Sequence, residues 1–352
     1  MLTLRFAGKK MMAPLALFFL ATFYFSSHPN PGSGNPGQRS FKDTTLVTVV
    51  AIRPSADGKS LRVTFNEKEQ ALYLSSNEQD FTTNKKRFES ALREKSPLRL
   101  ITDEQRGTLL SLADLSPAEL KIFRDLRKVK LPGEPVRPIE WTKIDTSTFN
   151  IVGDHLKWKV FTTCQNIVPS LDKAKEIFNY CAAQSCHIPG PKLVNPCIPF
   201  QYVKDGCYAR AHKMRWIIEK HFGYCSEKVF SFATVENNNL AVRADKWGGC
   251  CVQWWYHVTP LIRVKVQAGS RTFILAYVID PGMFNEPVLL STWLNAQKNK
   301  TCYTYASVDS YSIQPSSAYT PSNYETGEFN TDPDYSQTNA TLTSYATYVT
   351  CN

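Results

Sequence analysis

Residues 40–130 contain no cysteine, although the 352-residue chain contains ten. This absence excludes a disulfide-stapled scaffold for that part and indicates a second unit of different composition after it. The chain also lacks any long block of like charges. Its formal net charge of +10 comes mainly from the first 164 residues, which hold 25 lysines and arginines against 17 aspartates and glutamates. We therefore expect no nucleic-acid partner.

Metal-binding signatures are also missing, since the sequence contains neither a CxxC pair nor an HExxH motif. Cys207, His212, His221 and Cys225 are the alternative that suggests zinc. However, His212 and His221 lie nine positions apart on one predicted helix and face away from each other. The sequence thus predicts no metal and no organic cofactor.

The hydrophobic run at residues 11–25 is too short for a membrane span, and it follows Arg5, Lys9 and Lys10. This pattern predicts a signal peptide over residues 1–27 and a secreted protein, with an uncleaved anchor as the alternative. Export to an oxidising compartment favours disulfides over metal-bound thiolates.

The cysteines therefore predict a disulfide framework. If Cys207 stays reduced and Cys164 is set aside at a domain junction, the other eight are expected to form four bridges. Cys186 and Cys197 flank a Pro-Gly-Pro loop and are the expected local pair. The adjacent cysteines 250–251 are expected to reach different partners, because neighbours bond each other only with strain.

Before the cysteines, the chain reads as a small α+β unit. Residues 44–76 predict three strands, and helices are expected over 84–94 and 118–128, the latter with a Ser-Pro-Ala-Glu capping box. We assign residues 28–163, with their linker and connector, to a pro-region that is removed from the mature protein. A permanent companion domain is the alternative.

Residues 164–352 are the predicted catalytic domain. Apolar spacing predicts helices over 166–183 and 207–221, and alternation predicts two strands over 251–280 joined by Gln-Ala-Gly-Ser. The polar tail from about residue 303 predicts loops and short strands that pack on the core. The whole chain is thus expected to be α+β, with the helix that starts at Cys207 packed on an antiparallel sheet.

The predicted hairpin places a histidine opposite an aspartate. If Gln-Ala-Gly-Ser is a four-residue connection, Val266 pairs with Arg271, and His257 directly opposes Asp280. Opposed residues of an antiparallel pair have Cβ atoms about 4.5–5.5 Å apart on one face, close enough for a hydrogen bond.

Cys207 follows an Asp-Gly turn at the predicted start of a helix. The helix macrodipole and an imidazolium both favour a thiolate, and the backbone N–H groups there can hold an oxyanion. Cys207, His257 and Asp280 in this chain order match papain-like and transglutaminase-like acyl transfer. Each residue also has a structural alternative: Cys207 could be half of a disulfide, His257 a histidine of the core, and Asp280 the first residue of a turn.

Three blocks carry a resemblance to a known family: DGCYARAHKMR at 205–215, GGCCVQWWYHV at 248–258 and VIDPGMF at 278–284. They closely resemble bacterial protein-glutaminase, a secreted enzyme that deamidates protein-bound glutamine. The similarity runs from about residue 166 to 284, and the papain/transglutaminase-like fold is the fold that it implies.

The resemblance implies that Cys207 is the nucleophile, His257 the general base and Asp280 the orienting carboxylate. It also implies an inactive precursor whose pro-region covers the cleft. The expected partners are proteins or peptides with exposed glutamine, the pro-region as intramolecular inhibitor, and an activating protease, with the enzyme a monomer. A cysteine protease, a transglutaminase and a non-catalytic disulfide-rich binding protein remain alternatives.

One departure from the family pattern lies beside the histidine. Trp255 stands where the family has a small residue. Alternation places Trp255 on the His257 face, where it either narrows the cleft or adds an aromatic wall, and directs Trp254 and Tyr256 into the core.

Overall fold

The structure is a computed structural model, and its described residues belong to one compact unit. The predicted signal peptide and the whole of the predicted connector lie outside them. Among the described residues, no helix is both long and apolar enough to cross a membrane. The description covers residues 42–55, 58–103, 108–127, 166–268, 271–323 and 327–351.

The amino-terminal unit, residues 42–127, has two three-stranded antiparallel sheets, β1-β5-β6 and β2-β3-β4. Phe88 and Ala91 of its first helix are buried in its apolar core. Its elements are β1 Lys42–Val47, β2 Val49–Pro54, β3 Ser60–Phe65, β4 Lys68–Ser75, α1 Phe81–Glu94, β5 Leu98–Asp103, β6 Thr108–Asp114 and α2 Pro117–Arg127.

This unit agrees with the sequence in its helices and differs in its strands. The capping box is confirmed, because Ser116 Oγ accepts from the Glu119 N–H at 3.3 Å and Glu119 Oε2 accepts from the Ser116 N–H at 2.8 Å. The three predicted strands are four, since the first is divided at Thr48. The β5–β6 hairpin was not predicted.

The carboxy-terminal unit, residues 166–351, is built on a five-stranded antiparallel sheet in the order β12-β11-β10-β7-β13. The predicted α+β class is confirmed, with the helix that bears Cys207 packed against β10. The elements are α3 Leu171–Ala183, α4 Cys207–Trp216, β7 Glu227–Phe232, β8 Leu240–Arg243, β9 Cys251–Trp254, β10 Tyr256–Ala268, β11 Arg271–Val278, β12 Val288–Leu289, α5 Leu290–Ala296, β13 Ser310–Pro315, β14 Ala318–Asn323, β15 Glu328–Thr331 and α6 Ser336–Tyr345.

The two predicted helices of this unit form with altered ends. Helix α3 begins at Leu171 because Ser170 caps it, its hydroxyl accepting from the Lys173 N–H at 3.2 Å. Helix α4 ends at Trp216 and continues as one π-helical turn, Ile217–His221. In the tail, the short strands β13 to β15 are confirmed. Helix α6 was not predicted, because polar residues predominate in its sequence and Leu342 and Tyr345 are its only large apolar residues.

The predicted register of the long hairpin is wrong by two residues. Arg271 pairs with Ala268 instead of Val266, because β10 extends two residues into the expected connection, as far as Ala268. Within the sheet, His257 is paired with Ser231 of the neighbouring strand β7. Asp280 lies two residues beyond the end of β11, which is Val278. A shift of two residues preserves the face on which a side chain lies, whereas a shift of one would invert it.

The disulfides confirm most of the predicted framework. The expected local pair forms, and cysteines 250 and 251 reach different partners; the bonds are Cys186–Cys197, Cys250–Cys351 and Cys251–Cys302. Cys225 is also disulfide-bonded. The prediction that all eight cysteines pair is wrong, because Cys181 is free inside the apolar core. Cys164 lies outside the described residues.

Candidate active site

The site begins at the first turn of α4. Gly206 precedes the helix with φ +81°, and a Cβ there would lie 2.9 Å from the Tyr345 ring, so glycine is required on both counts. Cys207 is the first helical residue, as predicted. Its thiol is free and its side chain is buried.

His257 and Asp280 are brought together as predicted, although by a different register. His257 Nε2 lies 2.9 Å from Asp280 Oδ2. The other ring nitrogen, Nδ1, is buried without a hydrogen-bond partner among the described residues. Burial alone would raise the pKa of Asp280, but the hydrogen bond and charge of His257 hold that pKa below its ordinary value. The carboxylate is therefore an ionised anchor for the imidazole.

Two tryptophans fix the plane of the imidazole. The Trp254 ring stacks on His257 at a centroid distance of 4.5 Å and an angle of 9°. Trp293 of α5 lies on the ring as well, at 5.5 Å, and donates its indole N–H to Asp280 Oδ2 at 2.9 Å. The expectation that Trp254 points away from His257 is wrong, because the strand is interrupted at Trp255 and alternation does not carry through.

The opposite wall of the site comes from the amino-terminal unit. Residues 66–69, the turn between β3 and β4 and the start of β4, form what we call the cleft segment. Its main-chain carbonyls accept hydrogen bonds from the carboxy-terminal unit: Tyr208 Oη to Glu67 O at 3.0 Å, Trp255 Nε1 to Lys68 O at 2.9 Å and Trp255 N to Glu69 O at 3.0 Å. Trp255 thus holds the main chain of the cleft segment through its indole and backbone N–H groups.

The Glu69 side chain of the cleft segment points at the candidate catalytic residues Cys207 and His257. The Cys207 backbone N–H donates to Glu69 Oε2 at 2.8 Å. Ligand-type atoms of Glu69, Cys207 and His257 all lie within 4.8 Å of one another, and all three residues are buried. The amide that was predicted to hold an oxyanion is therefore occupied by a carboxylate.

This arrangement changes the acid–base balance at the sulfur. Burial raises the pKa of the Cys207 thiol well above its ordinary value, and the Glu69 charge raises it further. Arg210 and the backbone of Val258 act in the opposite direction. Burial also raises the pKa of Glu69 to about 7. Burial and the Glu69 charge together therefore disfavour the expected thiolate in this chain.

The residues considered for zinc do not assemble. Cys225 is disulfide-bonded, and the ring nitrogens of His212 lie 2.9 Å from the Asp332 carbonyl oxygen and 2.7 Å from Lys228 Nζ. Within the described ranges, the one cluster of three metal-ligand types is Glu69, Cys207 and His257.

The comparisons with known proteins agree with this geometry. A family model described as glutaminase matches residues 174–297. A crystal structure of a mutant pro-protein-glutaminase is 25% identical, with 87% of this chain and 94% of that chain aligned and a TM-score of 0.62. The NMR structure of protein-glutaminase from Chryseobacterium proteolyticum is 34% identical, covering 53% of this chain and 92% of that chain, with a TM-score of 0.46. The chain belongs to the protein-glutaminase family.

A crystal structure of pro-protein-glutaminase is 24% identical over 89% of this chain and 95% of that chain, with a TM-score of 0.62. No curated protein matches the chain. The matches to pro-protein-glutaminase include the amino-terminal unit, which supports a precursor. The recognised family, the hydrolase class and the α+β fold of the sequence prediction are thus confirmed.

Several residues of the site were not predicted from the sequence. Glu69 gives no local signal, because it lies 138 positions from Cys207 and contacts it only in the folded chain. Trp293 resembles any core aromatic in a short amphipathic helix. Asp205 was visible as part of the Asp-Gly turn, but its contact with the cleft segment was not.

Proposed function

We propose that this protein is a secreted precursor of an enzyme that hydrolyses the side-chain amide of protein-bound glutamine to glutamate and ammonia. One observation carries the proposal. A carboxylate side chain from an extended segment lies against the Cys207 thiol and backbone N–H, within 4.8 Å of His257. The product of the proposed reaction is the same group, a glutamate side chain on a polypeptide.

The first half of the reaction forms a thioester. His257 Nδ1 takes the proton of Cys207, and the thiolate attacks the carboxamide carbon. The Cys207 N–H stabilises the oxyanion of the tetrahedral intermediate. The intermediate then collapses, the carbon–nitrogen bond breaks, and His257 returns the proton to the departing ammonia.

The second half of the reaction hydrolyses the thioester, with water in the place of ammonia. His257 deprotonates a water molecule, which attacks the thioester carbon, and the Cys207 sulfur leaves with the proton that His257 holds. Asp280 keeps the imidazole in one tautomer and stabilises its cationic form. No metal or organic cofactor enters either step.

The amino-terminal unit inhibits the enzyme as a product mimic in this proposal. Glu69 occupies the position of the newly formed glutamate, and its charge opposes ionisation of Cys207. We assign residues 1–27 to the signal peptide, 28–163 to the pro-region and 164–352 to the catalytic domain. An external protease activates the exported precursor by cutting the connector, and the mature enzyme acts as a monomer.

The test is to incubate the mature protein with casein and to measure ammonia and peptide mass. We expect ammonia release with conversion of glutamine to glutamate in intact chains. The same protein with Cys207→Ser is the matched control and should release none. Cleavage of casein without ammonia would instead indicate a protease, and incorporation of an added amine would indicate a transglutaminase. No reaction, together with an inert Cys207, would indicate a binding protein.

A further inference from the structure

Asp205 is a fully buried carboxylate two residues before the nucleophile. Two of its hydrogen bonds come from its own unit. The Gly206 N–H donates to Oδ1 at 2.8 Å, and the Tyr345 hydroxyl donates to Oδ2 at 3.0 Å. Both donors are neutral, and neither supplies a positive charge.

The cleft segment supplies two further contacts. Lys68 Nζ lies 3.1 Å from Asp205 Oδ2, with only 4% of the lysine side chain exposed and none of the aspartate. The Glu69 N–H donates to Asp205 Oδ1 at 3.1 Å. Because a buried charge is costly unless it is paired, this ion pair needs both partners in register.

Arg210 of the carboxy-terminal unit has other partners: its Nη2 lies 3.9 Å from Glu69 Oε1. The Arg210 guanidinium donates through Nη1 to the main-chain carbonyls of Tyr202 and Asp205, each at 2.6 Å. These bonds hold the loop before α4 and leave the Lys68 ammonium in direct contact with the Asp205 carboxylate.

The main chain of the cleft segment is held as a peptide ligand would be held. Trp255 donates to the carbonyls of both Lys68 and Glu69, while the Glu69 N–H reaches Asp205. Main-chain bonds of this kind fix register, and side-chain pockets on either side then give specificity. The Glu69 side chain lies at the reacting atoms, so the Lys68 side chain marks the subsite for the preceding residue.

We propose that Asp205 is a specificity-determining residue that favours lysine or arginine immediately before the target glutamine. The inference rests on the proposed function and deepens it. Once the pro-region leaves, a substrate with a basic residue at that position restores the ion pair that Lys68 makes in the precursor. An acidic residue there places two carboxylates together and is disfavoured.

The test uses the mature wild-type protein and four blocked peptides of otherwise identical sequence. Lysine, its uncharged analogue norleucine, or glutamate precedes the single glutamine, and in the fourth peptide lysine follows it. We expect kcat/KM for ammonia release to be about tenfold higher with preceding lysine than with norleucine, and lowest with glutamate. Lysine after the glutamine should give no advantage over norleucine.

A variant identifies the residue responsible. Asp205→Asn keeps an acceptor for the Gly206 N–H and removes the charge, so the lysine-to-norleucine ratio should fall to near one. Tyr345→Phe removes a neutral donor from the same carboxylate and should keep the preference. If Asp205→Asn does not fold, the kcat/KM values of the wild-type protein with the four peptides still test whether a preceding lysine is preferred.

Equal rates for lysine and norleucine in the wild-type protein would overturn this inference and leave the proposed function standing. Ammonia release from none of the peptides would overturn both.

Discussion

In the part of the chain that the structure describes, two free thiols lie in different regions, one in the last turn of α3 and one in the first turn of α4. Cys181 and Cys207 are both buried. Burial alone raises the pKa of Cys181, whereas the pKa of Cys207 reflects burial and Glu69 against the opposing effects of Arg210 and Val258. A functional cysteine is thus distinguished by its partners, and one of these partners belongs to a part of the chain that can leave.

The largest expected effect on activity comes from replacing each of the two cysteines in a separate variant. Cys207→Ser in the mature protein should lower kcat for ammonia release by about 10⁴-fold or more, because a hydroxyl is far harder to ionise beside His257. Cys181→Ala is the matched control, since it removes a free thiol that is buried in the apolar core. Comparable losses of kcat in the two folded variants would contradict the assignment of Cys207, rather than Cys181, as the nucleophile.

The next largest effect on kcat is expected from the residues that hold the His257 imidazole, namely Asp280 and Trp293. Asp280→Asn should lower kcat by roughly 10³–10⁴-fold, because the amide supports the wrong tautomer of His257. Trp293→Phe removes only one donor to the same carboxylate and should cost about tenfold. Steady-state kinetics of the two variants, with circular dichroism to verify folding, would show whether the loss follows the charge of Asp280.

Thiol reactivity should separate the two cysteines only after cleavage. In the intact chain neither thiol should react readily with iodoacetamide. After proteolysis between residues 127 and 166 and release of the amino-terminal unit, Cys207 should react about 10²-fold faster, since Glu69 no longer opposes its ionisation. Cys181 should stay unreactive in both forms. Peptide mapping measures both rates, and a fast Cys207 in the intact chain would contradict the inhibitory role of Glu69.

The smallest expected effect is a pH dependence of stability. The pKa of Glu69 is about 7 in the folded chain against an ordinary value of 4.5, so the folded state binds the extra proton. Its contribution to stability should therefore be largest below pH 4.5 and fall as the pH rises to 7, by up to about 3 kcal/mol.

Melting curves of the intact wild type and of Glu69→Ala measure this effect as a difference. The stability of the wild type relative to the variant should increase as the pH is lowered from 7 to 5. The exposed Glu89 on α1 provides the control variant, Glu89→Ala, which should leave the pH dependence of melting unchanged. A constant difference between wild type and Glu69→Ala would contradict the assigned sign.

The sequence predicted the three candidate catalytic residues but not the register that joins them. The error of two residues in the hairpin was harmless, because side chains two apart share a face and His257 still reaches Asp280. The Trp254 prediction failed for a related reason. Alternation assumes a continuous strand, and the interruption at Trp255 turns the Trp254 ring onto the imidazole.

Contacts between the two units could not be predicted from local patterns. Glu69 and Lys68 follow a tight turn and have the composition of an exposed hairpin, yet both are buried against Cys207 and Asp205. Their positions depend on docking of two domains, which periodicity and capping signals do not encode. The Cys181 prediction failed for another reason: cysteine density suggested a disulfide, whereas Cys181 lies on the buried face of α3 with Ala174, Ile177 and Phe178.

The most direct measurement uses the intact chain with Glu69→Gln. This substitution places a carboxamide where the structure has a carboxylate, against the Cys207 N–H and beside His257. Mass spectrometry of the purified variant should find residue 69 converted to glutamate, with one ammonia released per chain, and no conversion when Cys207→Ser is present as well. A folded Glu69→Gln chain that keeps its glutamine indefinitely would contradict the assignment of Cys207 and of the substrate position.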